Sequence, residues 1–200
     1  MNKRHKFDPK ELLEPSSMLR LYAGGAFPMA DETTGEISWY MPNIRTIIPL
    51  DRYNIPRSLK KGAAKLNFEI KFDSDFLPVV KGCAERDRTW ISDELINAYL
   101  GLQKLGHVHT VETWQNGKLV GGLYGISYKG SFFGESMFSR VSQASKFALM
   151  NLIEHLNKNG FVLLDVQYIT EHLKMFGAKE IPFEEYNRLL INANARDCKF

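Results

Sequence analysis

The sequence predicts an α+β fold, a mixed sheet with helices packed against it. Three observations point there. "VHTVETWQ", "KLVGGLYGISY" and "SFFGESMFS" read as three consecutive strands joined by short turns. An apolar pattern of helical period follows, from about Ser142 to Asn157. The buried-type strand "FVLLDVQ" comes next. An antiparallel meander followed by a helix that crosses to one more strand makes a sheet domain of this class.

The elements follow in chain order. "PSSMLRLYAGGAFPMA" predicts a short helix over about Ser17 to Ala23, stopped by Gly24-Gly25 and Pro28. "ISWYMP" is strand-like and closes at Pro42. This portion has too little periodic apolar surface for a core of its own. Residues 1–57 are therefore expected to form a small N-terminal α/β domain packed on a main domain of 58–200. "RSLKKGAAK", "LNFEIKFD" and "DFLPVVKGCAER" read helix, strand, helix. Ser92 is the expected cap of the next helix, with Asp93 and Glu94 in its first turn where the macrodipole favours acids. Gly106 is its expected end. Asn116-Gly117 between the first two meander strands is a type I′ hairpin signal, and Lys129-Gly130 marks the next turn. After "FVLLDVQ", "TEHLKMFG" predicts a short helix with Thr170 at its cap. "PFEEYNRLL" predicts a last helix with Pro182 near its start. There is no internal repeat and no low-complexity stretch.

Composition excludes several classes. Net charge is +3, from 26 basic and 23 acidic residues, so charge alone does not make the chain a nucleic-acid binder. The basic residues concentrate between Arg45 and Lys71, where Arg45, Arg57, Lys60, Lys61 and Lys65 form a candidate phosphate-facing stretch or a solvated face. Cys83 and Cys198 form no CxxC pair and no disulfide framework. With no long apolar run and no apolar signal core in "MNKRHKFDPKELLEP", a cytoplasmic protein without a membrane segment is expected. A monomer is the default expectation.

Two strands carry candidate chemistry. If residues 132–139 alternate regularly, Phe133, Glu135, Met137 and Ser139 share one face. A carboxylate and a hydroxyl beside Phe and Met would suit the side chain and amine of an amino acid. Equally, Glu135 is a buried acid satisfied by backbone donors or an arginine. In "LLDVQ", Asp165 and Gln167 face the same way, so that an acid beside an amide orients an amine, or Asp165 caps the Thr170 turn. His107 and His109 share a face without an evident third ligand, so no metal site is expected. Gly121-Gly122 reads as a bulge or close backbone approach. No GxxxxGK[ST] or GxGxxG loop occurs, so no nucleotide cofactor is expected.

"LYAGGAFPMA", "ISWYMPNIR", "CAERDRTWI", "GHVHTVETWQNGKLVGGLYGI", "FFGESMFSRVSQASKFAL" and "LLDVQYITEHLKMFGAKEIPFEEYNRLL" stand in an order that resembles the leucyl/phenylalanyl-tRNA–protein transferases. The resemblance runs from about Leu21 to Leu190. It implies a GNAT-like catalytic domain that needs no cofactor. The donors implied are Leu-tRNA and Phe-tRNA, and the acceptors are proteins starting with Arg or Lys, which are thereby marked for bacterial degradation. It implies that Asp165 and Gln167 are catalytic and that Glu135, Met137 and Ser139 line the aminoacyl pocket. Trp39 and Trp90 would hold the 3′-terminal adenosine of the tRNA. The chain departs from the family at "WYMPNIR" for "WWSPDPR", at "HLKMFGA" for "HLxSLGA", at "HTVE" for "HSVE" and at Val166 for a cysteine. Two other functions remain open: a related GNAT-like peptidyl transferase with another acceptor, and a non-catalytic binder of RNA 3′ ends.

Overall fold

The computed structural model describes residues 9–200, apart from the side chains of residues 9, 10, 58, 60, 61, 63 and 64. After a 3-10 turn over Pro9–Leu13, helix α1 spans Pro15–Ala23, starting at a proline whose missing N–H costs nothing in the first turn. Strands β1 (Phe27–Ala30) and β2 (Ile37–Tyr40) form a separate two-stranded ribbon. Pro28 is tolerated in such a ribbon because it lacks a donor that a central strand would need.

The main sheet has seven strands. In chain order they are β3 (Ile44–Ile48), β4 (Glu69–Phe72), β5 (Val108–Gln115), β6 (Lys118–Tyr128), β7 (Ser131–Ser139), β8 (Leu163–Gln167) and β9 (Lys179–Pro182). Their spatial order is β4-β5-β6-β7-β8-β3-β9, with β7 and β8 parallel and every other pair antiparallel. The parallel pair needs a crossover, and α5 (Ala144–Lys158) supplies it. The remaining helices are α2 (Arg57–Leu66), α3 (Phe76–Ala84), α4 (Asp93–Lys104), α6 (Glu171–Lys174) and α7 (Phe183–Asn194). Among the described residues, no helix is long and apolar enough to cross a membrane.

Helices cover both faces of the sheet. Tyr22 of α1, Val79 of α3, Tyr99 of α4 and Tyr186 of α7 share one core with Tyr124, Phe133 and Leu163. Leu59 of α2, Leu152 of α5 and Leu173 of α6 share the other with Leu123, Phe132 and Leu164. Neighbouring strand residues thus divide between two cores, as period-2 alternation requires.

The caps and turns are those the sequence predicts. The Ser92 hydroxyl accepts from the Leu95 N–H at 3.2 Å, and the Thr170 hydroxyl accepts from Leu173 at 3.3 Å. Asn116 and Gly117 take φ of 51° and 72°, the left-handed pair of a type I′ turn. Three strands lie outside those the sequence predicts: β1, β3 and β9. The last two are short and pair with each other, and β3 pairs also with β8, all partners far along the chain. β3 lies N-terminal of the division expected at residue 57, yet it is an interior strand of the large sheet.

Candidate active site

The site begins at an irregularity in β7. Tyr124 pairs with Ser136, but Gly125 pairs with Gly134, so Glu135 has no partner across the ladder. This is a β-bulge, and it breaks the regular alternation expected of residues 132–139. Glu135 turns with Phe133 toward Tyr22 and Tyr99. Met137 joins the opposite core, and Ser139 accepts from the Ser145 N–H at 2.8 Å, at the start of α5. Phe133, Glu135, Met137 and Ser139 therefore do not form one continuous face.

The second irregularity is in β8. β7 and β8 are paired only between Ser131–Phe133 and Leu163–Asp165, and then they diverge. A cavity of about 450 Å³ opens in the gap. Glu135, Met137, Ser139 and Gln167 line it, with Leu149 and Leu152 from α5 and Trp90 from the connection before α4. Phe133 is a correction: it is 0% exposed and still paired to Asp165, so it lies behind the opening and not in its wall.

Asp165 is fully buried and fully engaged. Arg45 reaches it with Nε at 2.9 and 3.0 Å and with a terminal nitrogen at 2.6 Å. The Tyr186 hydroxyl donates at 2.7 Å and the Gln167 N–H at 2.9 Å. This also corrects the basic stretch. Arg45 is 0% exposed and sandwiched near the rings of Phe27 and Tyr186, so it cannot face phosphate. Position in sequence grouped it with exposed cations, whereas β3 carries it into the core. Arg57 and Lys65 on α2 are exposed. The side chains of Lys60 and Lys61 lie outside the described residues.

Gln167 is held in a strained conformation, with φ of 62°. The Tyr168 N–H bonds the Val166 carbonyl at 2.7 Å, closing a three-residue turn around it. Left-handed backbone at a residue with a side chain costs on the order of 1–3 kcal/mol and persists where the surrounding structure imposes it. Here the bond to Asp165 does so. The turn delivers the Gln167 amide to Glu135, with Nε2 donating to Oε1 at 3.1 Å. Its amide oxygen has no protein partner among the described residues.

Glu135 has an unusual set of partners for a buried acid. Tyr22 donates to Oε1 at 3.1 Å and Tyr99 to Oε2 at 3.2 Å, while the two phenols lie 3.3 Å apart. Among the described residues, no cation touches it. Burial pushes the carboxyl up to about 8, against the two tyrosine hydroxyls that hold it down. Burial also keeps both phenols well above their usual range, so they remain donors. The sequence does not single out Tyr22 and Tyr99, because a helical tyrosine on an apolar face reads as core.

Trp90 stands at the cavity and Trp39 does not line it. Trp39 packs edge-on against Tyr22 at 5.8 Å, and its indole N–H is enclosed without a partner among the described residues. His109 bonds Asp73 at 2.8 Å and the Ser127 hydroxyl at 3.0 Å, away from the cavity. Among the described residues no group of three or more potential metal ligands is gathered.

Comparison with known proteins gives a consistent result. A family model described as leucyl/phenylalanyl-tRNA protein transferase matches residues 47–191, and the model of that family's N-terminal domain matches 11–43. The chain is 46% identical over 181 residues to a leucyl/phenylalanyl-tRNA–protein transferase of Salinibacter ruber, covering 90% of this chain and 80% of that one. Among solved structures, the C-terminal domain of a putative lysylphosphatidylglycerol synthetase from Agrobacterium fabrum is similar with a TM-score of 0.45 and 10% identity. That match covers 76% of this chain and 53% of the other. The L-PGS of Bacillus licheniformis gives 0.43 and 12%, with 78% and 54% covered. The chain thus spans about half the length of each of those two structures.

Proposed function

The chain belongs to the leucyl/phenylalanyl-tRNA protein transferase family and is an aminoacyltransferase, and we propose that it moves Leu, Phe or Met from charged tRNA onto the N-terminal amine of proteins that begin with Arg or Lys. The modified proteins would enter N-degron degradation in the cytoplasm. The observation that carries the reading is the cavity between the diverging strands. Its walls are mostly apolar, and one carboxyl and one amide, Glu135 and Gln167, touch each other at its edge. The opening between two parallel strands is where a GNAT-like domain would hold its acyl donor.

In the reaction the acceptor nitrogen attacks the ester carbonyl, the bond to the ribose oxygen breaks, and that oxygen takes up a proton. The ester is already activated. An α-amine with a pKa of roughly 7.7–8.0 is about one-tenth neutral at pH 7, so deprotonation costs only about 1 kcal/mol. Orientation contributes more, on the order of 7–11 kcal/mol in favourable cases. Gln167 supplies it: with its N–H on Glu135, its amide oxygen is left to accept from the incoming amine. Asp165 acts through Gln167. Both of its oxygens are engaged, so it fixes the turn and does not serve as the proton acceptor. Glu135 faces the amine of the transferred residue, Met137 its side chain, and Trp90 the terminal adenosine.

An apolar wall discriminates one methylene by only about 1–3 kcal/mol, which accommodates Leu, Phe and Met together. The flexible thioether of Met137 fits more than one shape. The test is transfer from Leu-tRNA to peptides starting with Arg, Lys, Asp or Glu. Extension of the first two alone supports the reading. Extension of the acidic peptides instead would reassign the acceptor, and extension of none would remove the function.

A further inference from the structure

We propose that Arg86 binds the phosphodiester next to the terminal adenosine of the donor RNA; this rests on the reading of the cavity given under Proposed function. Among the described residues that line the cavity, Arg86 is the one Lys or Arg. It lies in the connection between α3 and α4 that also carries Trp90, and both side chains border the same opening.

The guanidinium is held on one side only. One terminal nitrogen donates to the Ser136 hydroxyl at 2.9 Å and to the Met137 carbonyl at 2.8 Å. Both acceptors follow the Glu135 bulge directly. Nε and the other terminal nitrogen have no partner among the described residues, so charged N–H donors are left over at an exposed position. A guanidinium fixed in this way offers a charge-assisted N–H contact to a phosphate oxygen. Neighbouring charges permit it. Glu85 is taken by Arg140 through both oxygens, at 3.0 and 2.8 Å, and Lys81 and Arg88 add to the positive side against Asp87. Arg88 itself is 85% exposed and only 3.9 Å from Glu32, so it is not fixed toward the cavity.

The arrangement couples donor binding to the site. A phosphate on Arg86 would be linked through one guanidinium to the β7 backbone at Met137, beside the Glu135 bulge. A bare nucleoside ester would lack that link.

The experiment compares two small donors on the full chain. Phenylalanyl-adenosine has no phosphodiester, while phenylalanyl-cytidylyl-adenosine has the one beside its adenosine. With Arg86→Ala, KM for the second donor should rise about 10- to 100-fold relative to the first, the range for removal of a charge-assisted hydrogen bond. An equal rise with both donors would show that Arg86 only braces β7 and would overturn the proposal, as would no rise with either. A second measurement does not depend on the variant's folding. Against wild-type protein, uncharged cytidylyl-adenosine should compete more tightly than adenosine, and the difference should shrink as salt rises. Equal competition would overturn the proposal. Wild-type protein that transfers from neither donor would overturn the reading of the cavity, and this proposal with it.

Discussion

Two buried acids in this chain are stabilised in different ways. Asp165 has a guanidinium, a phenol and a backbone N–H, so it is one half of a fixed ion pair. Removing its charge leaves Arg45 buried and unpaired. Asp165→Asn should therefore lower stability by about 3–5 kcal/mol in chemical denaturation, along with any reduction of activity. A variant as stable as wild type would contradict the clamp. Glu135 has two phenols and an amide but no cation among the described residues. In the unfolded chain it loses its proton near about pH 4.3; in the folded protein it keeps it to about pH 8. Between those values the folded state holds the extra proton, so stability falls as pH rises, by up to about 1.4 kcal/mol per unit. Glu135→Gln has no such group. The stability of wild type relative to this variant should decline steadily from about pH 5 to about pH 8, and a flat difference would show that Glu135 is ionised throughout. Glu135 and Asp165 are both visible in the sequence as acids in apolar strands. Their partners are not, because Tyr22 lies 113 residues from Glu135 in the chain and Arg45 lies 120 residues from Asp165.

At the scale of elements, the site depends on two breaks in regular pairing. The hairpin at Asn116-Gly117, the crossover α5 and the caps are legible because their signals are local. The bulge is not. A period-2 pattern assumes an unbroken ladder, and nothing in "FFGESMFSR" shows that Glu135 is left over opposite Gly125. That glycine is where the break is enforced. A Cβ on Gly125 would sit 2.4 Å from both a ring carbon of Phe132 and the carbonyl oxygen of Phe133, so the strands approach too closely for a side chain. Gly125→Ala should cost about 1–3 kcal/mol by overpacking. It should also raise KM for the donor by displacing Glu135, as steady-state kinetics with a minimal donor would show. Full stability with unchanged kinetics would mean that β7 tolerates another register. Strand β3 is hard to read for a related reason: "IRTII" is short, and its value as a strand depends on β8 and β9, which come much later.

At the scale of the whole molecule, the fold separates the buried Arg45–Asp165 clamp from the exposed cations Arg57 and Lys65 of α2. β3 takes Arg45 out of the basic stretch and into the core. What remains is α2, whose "RSLKKGAAKL" contains bases and no acid. If α2 meets phosphates, log KM for charged tRNA should rise with log salt. Replacing Arg57 and Lys65 by alanine should then reduce that slope by about 0.7 for each phosphate no longer neutralised. An unchanged slope would place the RNA elsewhere. The family is legible from the order of its motifs; the distribution of roles within the site requires the geometry. The central claim is that Gln167, set by Asp165 and touching Glu135, orients an amine for attack on a charged donor. The direct measurement is the mass of an Arg-starting peptide after incubation with Leu-tRNA, using wild type and Gln167→Ala. The account predicts addition of one leucine by wild type and a rate at least about tenfold lower for the variant, since misplaced reactants forfeit much of the advantage of orientation. A variant as fast as wild type, or a peptide left unmodified by both, would contradict it.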